Sequence, residues 1–397
     1  MAGILDGVRV LDLSRYAAGP FCATVLAEMG AEVIRLEAHG GAEDRRQGPV
    51  APSGDNLRYL MMGRNKLGIT LDLEKPRGRE LFHRLVERSD VVLDNFSPPV
   101  KKKLGLTYEV LEKINPKVIL TTVSAFGNDG PYQERLGFDP IAQAESGSMS
   151  YTGFPGNPPT RAQVAWVDLS TGLHAALGTV LALYHRQRTG RGQQVEAALL
   201  DTAVSYVSML GVAAEYQTLG QTRPQLGNSG YYTFGDTFQC RDGYVMLAII
   251  SNPIWKRLAQ VIGQEQWGDD PRFLDDTSRW NHRSLIREAV GKWAGQKTVT
   301  QTFAALGEAR IPCGRVNSVP DMVRDPHVKA RGLFVEVPVP GNPKPMPHPR
   351  VALKFSNPQP GVKSPAPQVG QHNHAIYCGL LGLNPRELEE LQQQGVV

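Results

Sequence analysis

The stretch GVRVLDLSRYAAGPFCATVLAEMGAEVIRLE, Gly7–Glu37, decides the fold of this chain. Its first part, Val8–Ser14, is a short apolar run that predicts a buried strand. A helix is predicted over Pro20–Gly30, with proline near its first turn and glycine just past its last. A second apolar run, AEVIRLE, follows directly. A strand, a helix and a strand of these lengths make one βαβ unit, whose two strands lie parallel.

The same alternation recurs along the next part of the chain. GITLDL, a helix over about 76–87 and VVLDNF repeat it, and a helix near Leu111 leads into VILTTVSAF. Strands that alternate with helices predict an α/β fold with a doubly wound parallel sheet. Such sheets bind ligands beyond the carboxyl ends of their strands. We therefore expect Ser14–Pro20, Asp94–Ser97 and Ser124–Gly127 to form a ligand site.

The pattern of the sequence changes after residue 223, from long helical stretches to turn-rich segments and shorter elements. Long helical stretches are predicted over about 168–187 and 195–217, and the turn-rich segment QTRPQLGNSGYYTFGDTF follows them. DGYVMLAII predicts a strand, and short amphipathic helices extend from it to about Val323. We assign 1–223 to a large domain and 224–323 to a smaller α+β domain. The Pro-rich EVPVPGNPKPMPHPR predicts an extended loop or edge strand, and NPRELEELQQQGVV predicts a helical tail.

The composition excludes several classes of protein. The 397 residues are 41% hydrophobic and 21% charged, and the net charge of +4 is too small to indicate a nucleic-acid partner. Four widely spaced cysteines predict a reducing compartment rather than a disulfide framework. We see neither a leader segment nor a continuous apolar run of about 18 residues. We expect a cytoplasmic protein with no membrane partner.

Motifs for common cofactors are missing. The turn after the first predicted strand is RYAAGP rather than GxGxxG, so we do not expect NAD. The neighbouring histidines His372 and His374 lack further residues at the spacing of a ligand set, so we expect no metal.

A single acid interrupts the apolar stretch AWVDLSTGLHAALG, Ala165–Gly178. The helix predicted to follow has an apolar stripe at spacings of three and four: Leu169, Leu173, Ala176, Leu177, Val180 and Leu181. Asp168 has two interpretations. It is either the N-cap of this helix, or a carboxylate kept ionised by the helix N-terminus and able to act as a nucleophile.

Three further segments are candidates for contact with an anionic ligand, and each also has an ordinary structural interpretation. Lys101–Lys103 either form a solvated helix face or contact a phosphate. Asn95–Pro99 either make a simple turn or contact the ligand. Arg45 and Arg46 either pair with Asp44 or clamp an acidic ligand.

Taken in order, several stretches resemble the class III CoA-transferase family, which includes formyl-CoA transferases and alpha-methylacyl-CoA racemases. They include GVRVLDLSRYAAGP, LAEMGAEVIRLE, RNKLGITLDL, VVLDNFSPPVKKKLGL, GFDPIAQAESGSMSYTG, DLSTGLHAALGTVLALYHRQRTGRGQQVEAALLD, IPCGRVNSVPDM and LQQQGVV. The resemblance runs from Leu5 to Val397. It implies an interlocked, ring-shaped homodimer whose large Rossmann-like domain is formed from both termini, with 324–397 as its returning part. It also implies coenzyme A, as an acyl-CoA, and a free carboxylic acid as substrates.

The resemblance also implies roles for individual residues. Asp168 would be the covalent nucleophile and Asp139 an acid that assists it. Positions implied to bind CoA are Ala17, Ala18, Leu71, Asp72, Leu73, Glu74, Asn95, Phe96, Ser97, Lys103, Leu136, Gly137 and Phe138. Positions considered for the acyl substrate are Arg45, Arg46, Gly227, Asn228 and Gly230. CoA would move from succinyl-CoA or another acyl-CoA through an acyl-aspartyl anhydride and an aspartyl-CoA thioester.

The chain departs from formyl-CoA transferases where those enzymes contact their substrate. Ala38 replaces their arginine, Ala17 replaces their glutamine, and LGNSGYY replaces their run of glycines. The acids exchanged are therefore left open. An acyl-CoA racemase is the alternative within the family, but those enzymes carry a histidine where this chain has Phe138, which cannot act as a base. A non-catalytic CoA-binding protein is the alternative of another class, and the presence of Asp168 argues against it.

Overall fold

Strands and helices alternate through the chain, and the computed structural model describes residues 3–357 and 360–397. The strands are β1 Arg9–Asp12, β2 Glu32–Glu37, β3 Lys66–Thr70, β4 Val91–Asp94, β5 Ile119–Ser124, β6 Gln193–Ala198, β7 Phe234–Cys240, β8 Gly243–Ile249, β9 Cys313–Arg315, β10 Phe334–Val337 and β11 Met346–Pro349. The first helices are α1 Ala18–Glu28, α2 Leu57–Gly63, α3 Pro76–Glu87, α4 Pro98–Leu104, α5 Tyr108–Ile114, α6 Asp139–Glu145, α7 Ser148–Tyr151, α8 Trp166–Thr189 and α9 Leu199–Met209. The later ones are α10 Val212–Leu219, α11 Asn252–Val261, α12 Asp276–Asn281, α13 Arg283–Gly295, α14 Val299–Glu308, α15 Val319–Arg324, α16 Pro326–Ala330 and α17 Pro385–Gln393.

The predicted doubly wound parallel sheet is confirmed. Its six strands lie in the order β3-β2-β1-β4-β5-β6, and every neighbouring pair is parallel. The chain moves outward from β1 to β3 and then crosses to β4 on the other side of β1. The strand order therefore reverses between β1 and β4, and ligands of such sheets bind beyond the carboxyl ends of the strands at this switch point.

Alternate residues of each central strand enter two separate apolar cores. Leu11 packs in one core with residues of α3 and α17 such as Leu81 and Leu388. Val10, its neighbour, packs in the other with residues of α1 and α8 such as Leu26 and Ala175. A parallel sheet buried on both faces explains why its strands read as continuous apolar runs rather than as alternating patterns.

One sequence prediction next to α8 is wrong. The stretch from Val195 was expected to be helical, but Gln193–Ala198 forms β6 and pairs with β5. In α8 itself, four residues of the apolar stripe, Leu173, Leu177, Val180 and Leu181, are exposed. The buried face instead consists mainly of small residues: Val167, Thr171, Gly172, Ala175, Ala176, Thr179, Ala182 and Leu183.

Small residues line this face because α8 lies close to α1 and to the sheet. A Cβ atom at Gly172 would lie 2.5 Å from the Ala18 carbonyl oxygen, and the Thr179 and Thr121 hydroxyls lie 2.7 Å apart. The helix has 24 residues and is apolar enough to cross a membrane by length and composition alone. Its small-residue face nevertheless packs inside the fold, as a core helix does.

We expect Gly172→Ala to lower the free energy of unfolding by about 1–3 kcal/mol, because the added methyl group meets backbone that cannot move aside cheaply. Chemical denaturation measures this change. The matched control is Gly291→Ala in α13, where an added Cβ meets nothing within 4 Å. That variant is expected to be as stable as the parent or more stable by up to about 1 kcal/mol. A Gly172→Ala protein as stable as the control would contradict the close packing of α1 on α8.

The chain forms two compact units. One comprises Met1–Gly147, Ala162–Ala214 and Ala330–Val397, and the other comprises Ser148–Arg161 and Glu215–Lys329. The second contains the antiparallel sheet β7-β8-β9 and most of the short helices. Residues 148–161 were assigned from sequence to the large domain, yet they pack in the smaller unit. The Gly227 N–H donates to the Gly153 carbonyl at 2.8 Å, a contact between segments far apart in the chain that local sequence does not reveal.

Candidate active site

The turns after β1 and β4 are tied together at the switch point. The backbone N–H of Arg15 donates to Asn95 Oδ1 at 2.9 Å, and Asn95 Nδ2 donates to the Arg15 carbonyl at 2.8 Å. Two of the predicted ligand segments, Ser14–Pro20 and Asp94–Ser97, are therefore joined by one side chain. Asn95 thus has a structural role in the turn in addition to the CoA contact that the resemblance implies.

Asp168 lies in the first turn of α8 but does not cap it. The helix begins at Trp166 after Ala165, so Asp168 is its third residue and the N-cap interpretation is wrong. The cap comes from elsewhere in the chain. Asp139 Oδ2 accepts hydrogen bonds from the backbone N–H groups of Val167 at 2.9 Å and Asp168 at 3.1 Å. Asp139 thus satisfies two of the donors that the start of a helix leaves unpaired.

Asp139 is itself fixed in place. It is buried at the start of α6, and Gln143, one turn later, donates from Nε2 to Asp139 Oδ1 at 2.6 Å. Gln143 also accepts from the Ala162 N–H at 2.9 Å through Oε1, which connects α6 to the segment before α8. Gln143 was not predicted from sequence, although its spacing of four residues from Asp139 places the two on one face of a helix. The geometry makes Asp139 a positioning residue for Asp168.

The surroundings of Asp168 disfavour its ionised form. Burial, together with the negative charge of Asp139, raises its pKa to about 6, and the positive charge of Arg58 opposes both. Most of the population is therefore ionised at neutral pH but poorly solvated. A carboxylate in this state is a better nucleophile than one fully exposed to water.

The residues around the Asp168–Asp139 pair include a strained turn. Tyr16 has φ 71°, a left-handed conformation that is rare for an aromatic residue. Its N–H donates to Asp44 Oδ2 at 3.1 Å, and its ring meets the edge of Phe138 at 5.6 Å. Phe138 directly precedes Asp139, so this turn and the cap of α8 are in contact. Phe138 is 55% exposed and offers no base beside Asp139.

Arg45 does not pair with Asp44, one of its two predicted roles. Its guanidinium is buried, pairs with Glu37 at 2.8 Å and Asp55 at 3.2 Å, and also lies over the ring of Tyr59. Asp44, its predicted partner, pairs with Arg35 instead at 2.8 Å. The same guanidinium donates to the carbonyl of Pro367 at 3.0 Å, so most of its donors have partners inside the fold.

Arg46 differs from Arg45 in being exposed. Its guanidinium donates to the carbonyl of Gly40, at 3.3 Å, within the same loop.

The three lysines of α4 differ in their environments. Lys101 is buried and donates to Thr122 Oγ1 and Asn128 Oδ1, each at 3.3 Å, so for this residue the solvated-face interpretation is wrong. Lys103 is exposed and pairs with Glu74, another position implied to bind CoA. These two side chains bring the end of α4 next to the loop after β3.

The remaining CoA positions of the large unit also lie beyond strand ends. Leu71 and Leu73 are buried, while the Asp72 carboxylate accepts from the N–H of Glu74 at 2.9 Å. The Phe96 N–H donates to the Asp94 carboxylate at 3.1 Å. The others are as follows: Ala17 and Ala18 are buried at the start of α1, Ser97 precedes α4, Leu136 is exposed, and Gly137 lies against Ala125 and Phe126.

The predicted substrate residues of the smaller unit are held by its own hydrogen bonds. The Gly230 N–H donates to the Gly235 carbonyl at 2.9 Å, and Asn228 Nδ2 donates to Thr237 Oγ1 at 2.8 Å. The Gly227 N–H is bonded to Gly153, as described above. The N–H groups of Gly227 and Gly230 thus already donate to carbonyls within the smaller unit.

A doubly wound parallel sheet whose neighbouring helix carries a partly buried acid of raised pKa is typical of α/β enzymes. Comparison with known proteins gives the family. The model of CoA-transferase family III matches residues 5–373. The chain belongs to this family and is a CoA-transferase.

Named relatives and solved structures agree with this assignment. The chain is 36% identical to a succinyl-CoA–D-citramalate CoA-transferase of Chloroflexus aurantiacus, over 99% of this chain and 98% of the relative. It is 34% identical to a formyl-CoA:oxalate CoA-transferase of Streptomyces avermitilis, over the full length of both. The crystal structure of a CAIB/BAIF family protein from Brucella suis superposes with a TM-score of 0.85 at 31% identity, covering 96% of this chain and 100% of that one.

Proposed function

We propose that this protein moves CoA from a dicarboxylyl-CoA such as succinyl-CoA to a free carboxylic acid, through covalent intermediates on Asp168. The observation that carries the proposal is the Asp168 carboxylate, which is partly buried at the switch point beside Asp139 and has a pKa raised to about 6. The similarity to a transferase named for succinyl-CoA supports the choice of donor.

The first half-reaction forms two covalent intermediates in turn. A carboxylate oxygen of Asp168 attacks the thioester carbonyl of the donor, the C–S bond breaks, and CoA leaves as a thiolate. The product is a mixed anhydride between Asp168 and the acyl group. The thiolate then attacks the Asp168 carbonyl of this anhydride, and the donor acid leaves as a carboxylate. Asp168 is left as an aspartyl-CoA thioester.

The second half-reaction repeats these steps with the acceptor. The acceptor carboxylate attacks the aspartyl thioester carbonyl, and the C–S bond breaks to release CoA thiolate. The product is a second mixed anhydride, between Asp168 and the acceptor. The thiolate attacks the acceptor's carbonyl in that anhydride, so the new acyl-CoA forms and the Asp168 carboxylate is restored. Dividing one exchange into steps of this kind is the benefit of covalent catalysis.

The start of α1 supplies candidate donors for the oxyanions of these steps. No side chain caps this helix, and its first two residues are Ala18 and Gly19. Their N–H groups lie in the first turn, where no intrahelical acceptor exists. Gly172 of α8 packs against the Ala18 carbonyl, which keeps this turn close to the helix that carries Asp168. Backbone donors fixed in this way stabilise developing negative charge.

A trapping experiment tests the covalent route. The protein is incubated with succinyl-CoA and hydroxylamine, and its peptides are mapped by mass spectrometry. A hydroxamate on Asp168 is expected, since hydroxylamine cleaves both the anhydride and the thioester at the aspartyl carbonyl. Transfer that proceeds with no adduct, or with an adduct on another residue, would rule out the proposed nucleophile.

Lys103→Ala is expected to raise the KM for acyl-CoA by about 3- to 10-fold while kcat stays nearly unchanged, as loss of uniform binding does. The physical reason is loss of a positive charge that we propose meets a phosphate of CoA. Lys102→Ala, which removes a neighbouring exposed lysine of α4, is the matched control. Steady-state kinetics with varied acyl-CoA measure both. Equal KM values for the two variants would return Lys103 to the solvated-face interpretation.

We also propose that the protein is a homodimer. Leu173, Leu177, Leu181 and Tyr184 of α8 and Met209 of α9 are between 45% and 75% exposed. A contiguous apolar face of this kind marks a contact surface rather than a solvated one. Light scattering is expected to give twice the chain mass, and a monomer mass at micromolar concentration would contradict the proposal.

A further inference from the structure

Most cations near the switch point are committed to partners inside the fold. Arg15 donates to the carbonyls of Leu13 at 2.8 Å, Ser14 at 3.0 Å and Leu36 at 3.1 Å. The other committed cations are Arg35, paired with Glu37 and Asp44; Arg45, paired with Glu37 and Asp55; and Lys66, paired with Asp12. None of these side chains is available to a substrate without breaking a buried ion pair or hydrogen bond.

Arg58 differs from all of them. It is the second residue of α2, a helix whose inner face buries Tyr59 and Leu60 in a small apolar cluster, and its own side chain is exposed. Its backbone is fixed, since its N–H donates at 2.6 Å to Oδ1 of the fully buried Asn56. Across residues 3–357 and 360–397, no hydrogen bond or ion pair engages its guanidinium.

The helix that carries Arg58 is linked to the helix that carries Asp168. Thr24 of α1 donates through Oγ1 to the carbonyl of Met62 in α2 at 2.5 Å, and α1 packs closely on α8 at Gly172. The positive charge of Arg58 acts on the Asp168 carboxylate and opposes the negative charge of Asp139. The helix that carries this uncommitted guanidinium is thus connected through α1 to the first turns of α8.

A dicarboxylyl substrate carries a free carboxylate in addition to the one that reacts. Asp139 and Asp168 present two negative charges that repel such a substrate. A guanidinium binds a carboxylate through two parallel hydrogen bonds as well as by charge. On the basis of the proposed function, we propose that Arg58 binds the non-reacting carboxylate of a dicarboxylic substrate and so selects dicarboxylic over monocarboxylic acyl groups.

Kinetics with succinyl-CoA and butyryl-CoA as donors test this role, because the two acyl chains have the same length and differ in the terminal carboxylate. Arg58→Gln is expected to raise the KM for succinyl-CoA by about 10- to 100-fold, the range for a lost charged hydrogen bond. The KM for butyryl-CoA should stay unchanged, and Arg58→Lys should restore part of the succinyl-CoA affinity. Arg88→Gln is the matched control, since Arg88 is an exposed arginine beyond the opposite end of β4.

Two results overturn the inference while leaving the proposed function intact. One is a parent enzyme that uses butyryl-CoA as well as succinyl-CoA, and the other is an Arg58→Gln protein whose KM rises equally for both donors. In either case transfer continues and the hydroxamate on Asp168 still forms. A parent enzyme that transfers CoA from neither donor and gives no adduct on Asp168 would instead refute the proposed function, and this inference with it.

Discussion

Asp168→Asn is expected to abolish CoA transfer, with kcat reduced by about 10⁴-fold or more, as removal of a covalent nucleophile does. An amide nitrogen or oxygen cannot form the anhydride, so neither half-reaction can begin. Steady-state kinetics with succinyl-CoA and a panel of free acids measure the loss. Binding of CoA itself, measured by calorimetry, should be largely preserved, because the substitution changes one atom at the reacting end of the ligand.

The matched control for this variant is Asp201→Asn. Asp201 is also the third residue of its helix, α9, but it is exposed and has no assigned role. Its substitution should leave transfer unchanged. Near-parental turnover by the Asp168→Asn protein would remove Asp168 from the mechanism.

Thermal unfolding at two pH values shows whether the Asp168→Asn protein is correctly folded. Because burial and Asp139 raise the pKa of Asp168 from 3.8 to about 6, ionisation of Asp168 costs the folded protein stability, and this cost grows between pH 3.8 and 6 and is complete above pH 6. The neutral amide removes this cost. The variant should therefore melt at or above the temperature of the parent at pH 7, and this advantage should fade as the pH falls through 6 and the parent carboxyl becomes protonated.

The sheet could be predicted from sequence because the pattern that indicates each strand lies within one short segment of the chain. Each central strand is a short apolar run next to a helix signal, and the βαβ rule then fixes the parallel pairing. The sixth strand, Gln193–Ala198, was missed because VEAA favours a helix locally and becomes a strand only by pairing with β5. The buried face of α8 could not be predicted for a related reason. Sequence shows where apolar residues recur, but the buried face was set by how closely α1 approaches.

For the site too, features set by neighbouring residues could be predicted from sequence, and features set by residues far apart in the chain could not. The position of Asp168 at the start of a helix was readable from sequence, and the family resemblance selected its role. The residue that caps that helix could not be predicted from sequence, because Asp139 lies 29 residues earlier in the chain, on another helix. Arg45 and Arg58 show that sequence alone does not reveal which charged side chains have ion-pair partners. Both are arginines in or near a polar loop, and only the folded chain shows that Arg45 pairs with Glu37 and Asp55 while the Arg58 guanidinium has no ion-pair partner among the described residues.

Asp139→Asn is expected to lower kcat by about 10- to 100-fold, the cost of a misplaced reacting group. The amide can offer only one oxygen. If that oxygen accepts the N–H groups of Val167 and Asp168, the new NH₂ faces Nε2 of Gln143, which now lies 2.6 Å from Asp139 Oδ1, and two donors meet. If the amide turns the other way, the first turn of α8 loses its cap. Either arrangement displaces Asp168 from its position in the parent enzyme.

The pH profile separates this positioning role from a merely structural one. Asp168 must be ionised to attack, so the activity of the parent should fall as the pH drops through its pKa of about 6. Removing the negative charge of Asp139 lowers the pKa of Asp168, so the acid limb of kcat/KM should move to lower pH even as kcat falls. Glu145→Gln is the control on the same helix, since Glu145 pairs with Arg135 away from Asp168. An unmoved acid limb would show that Asp139 does not set the charge state of Asp168, and an unchanged kcat would show that its cap does not position the nucleophile.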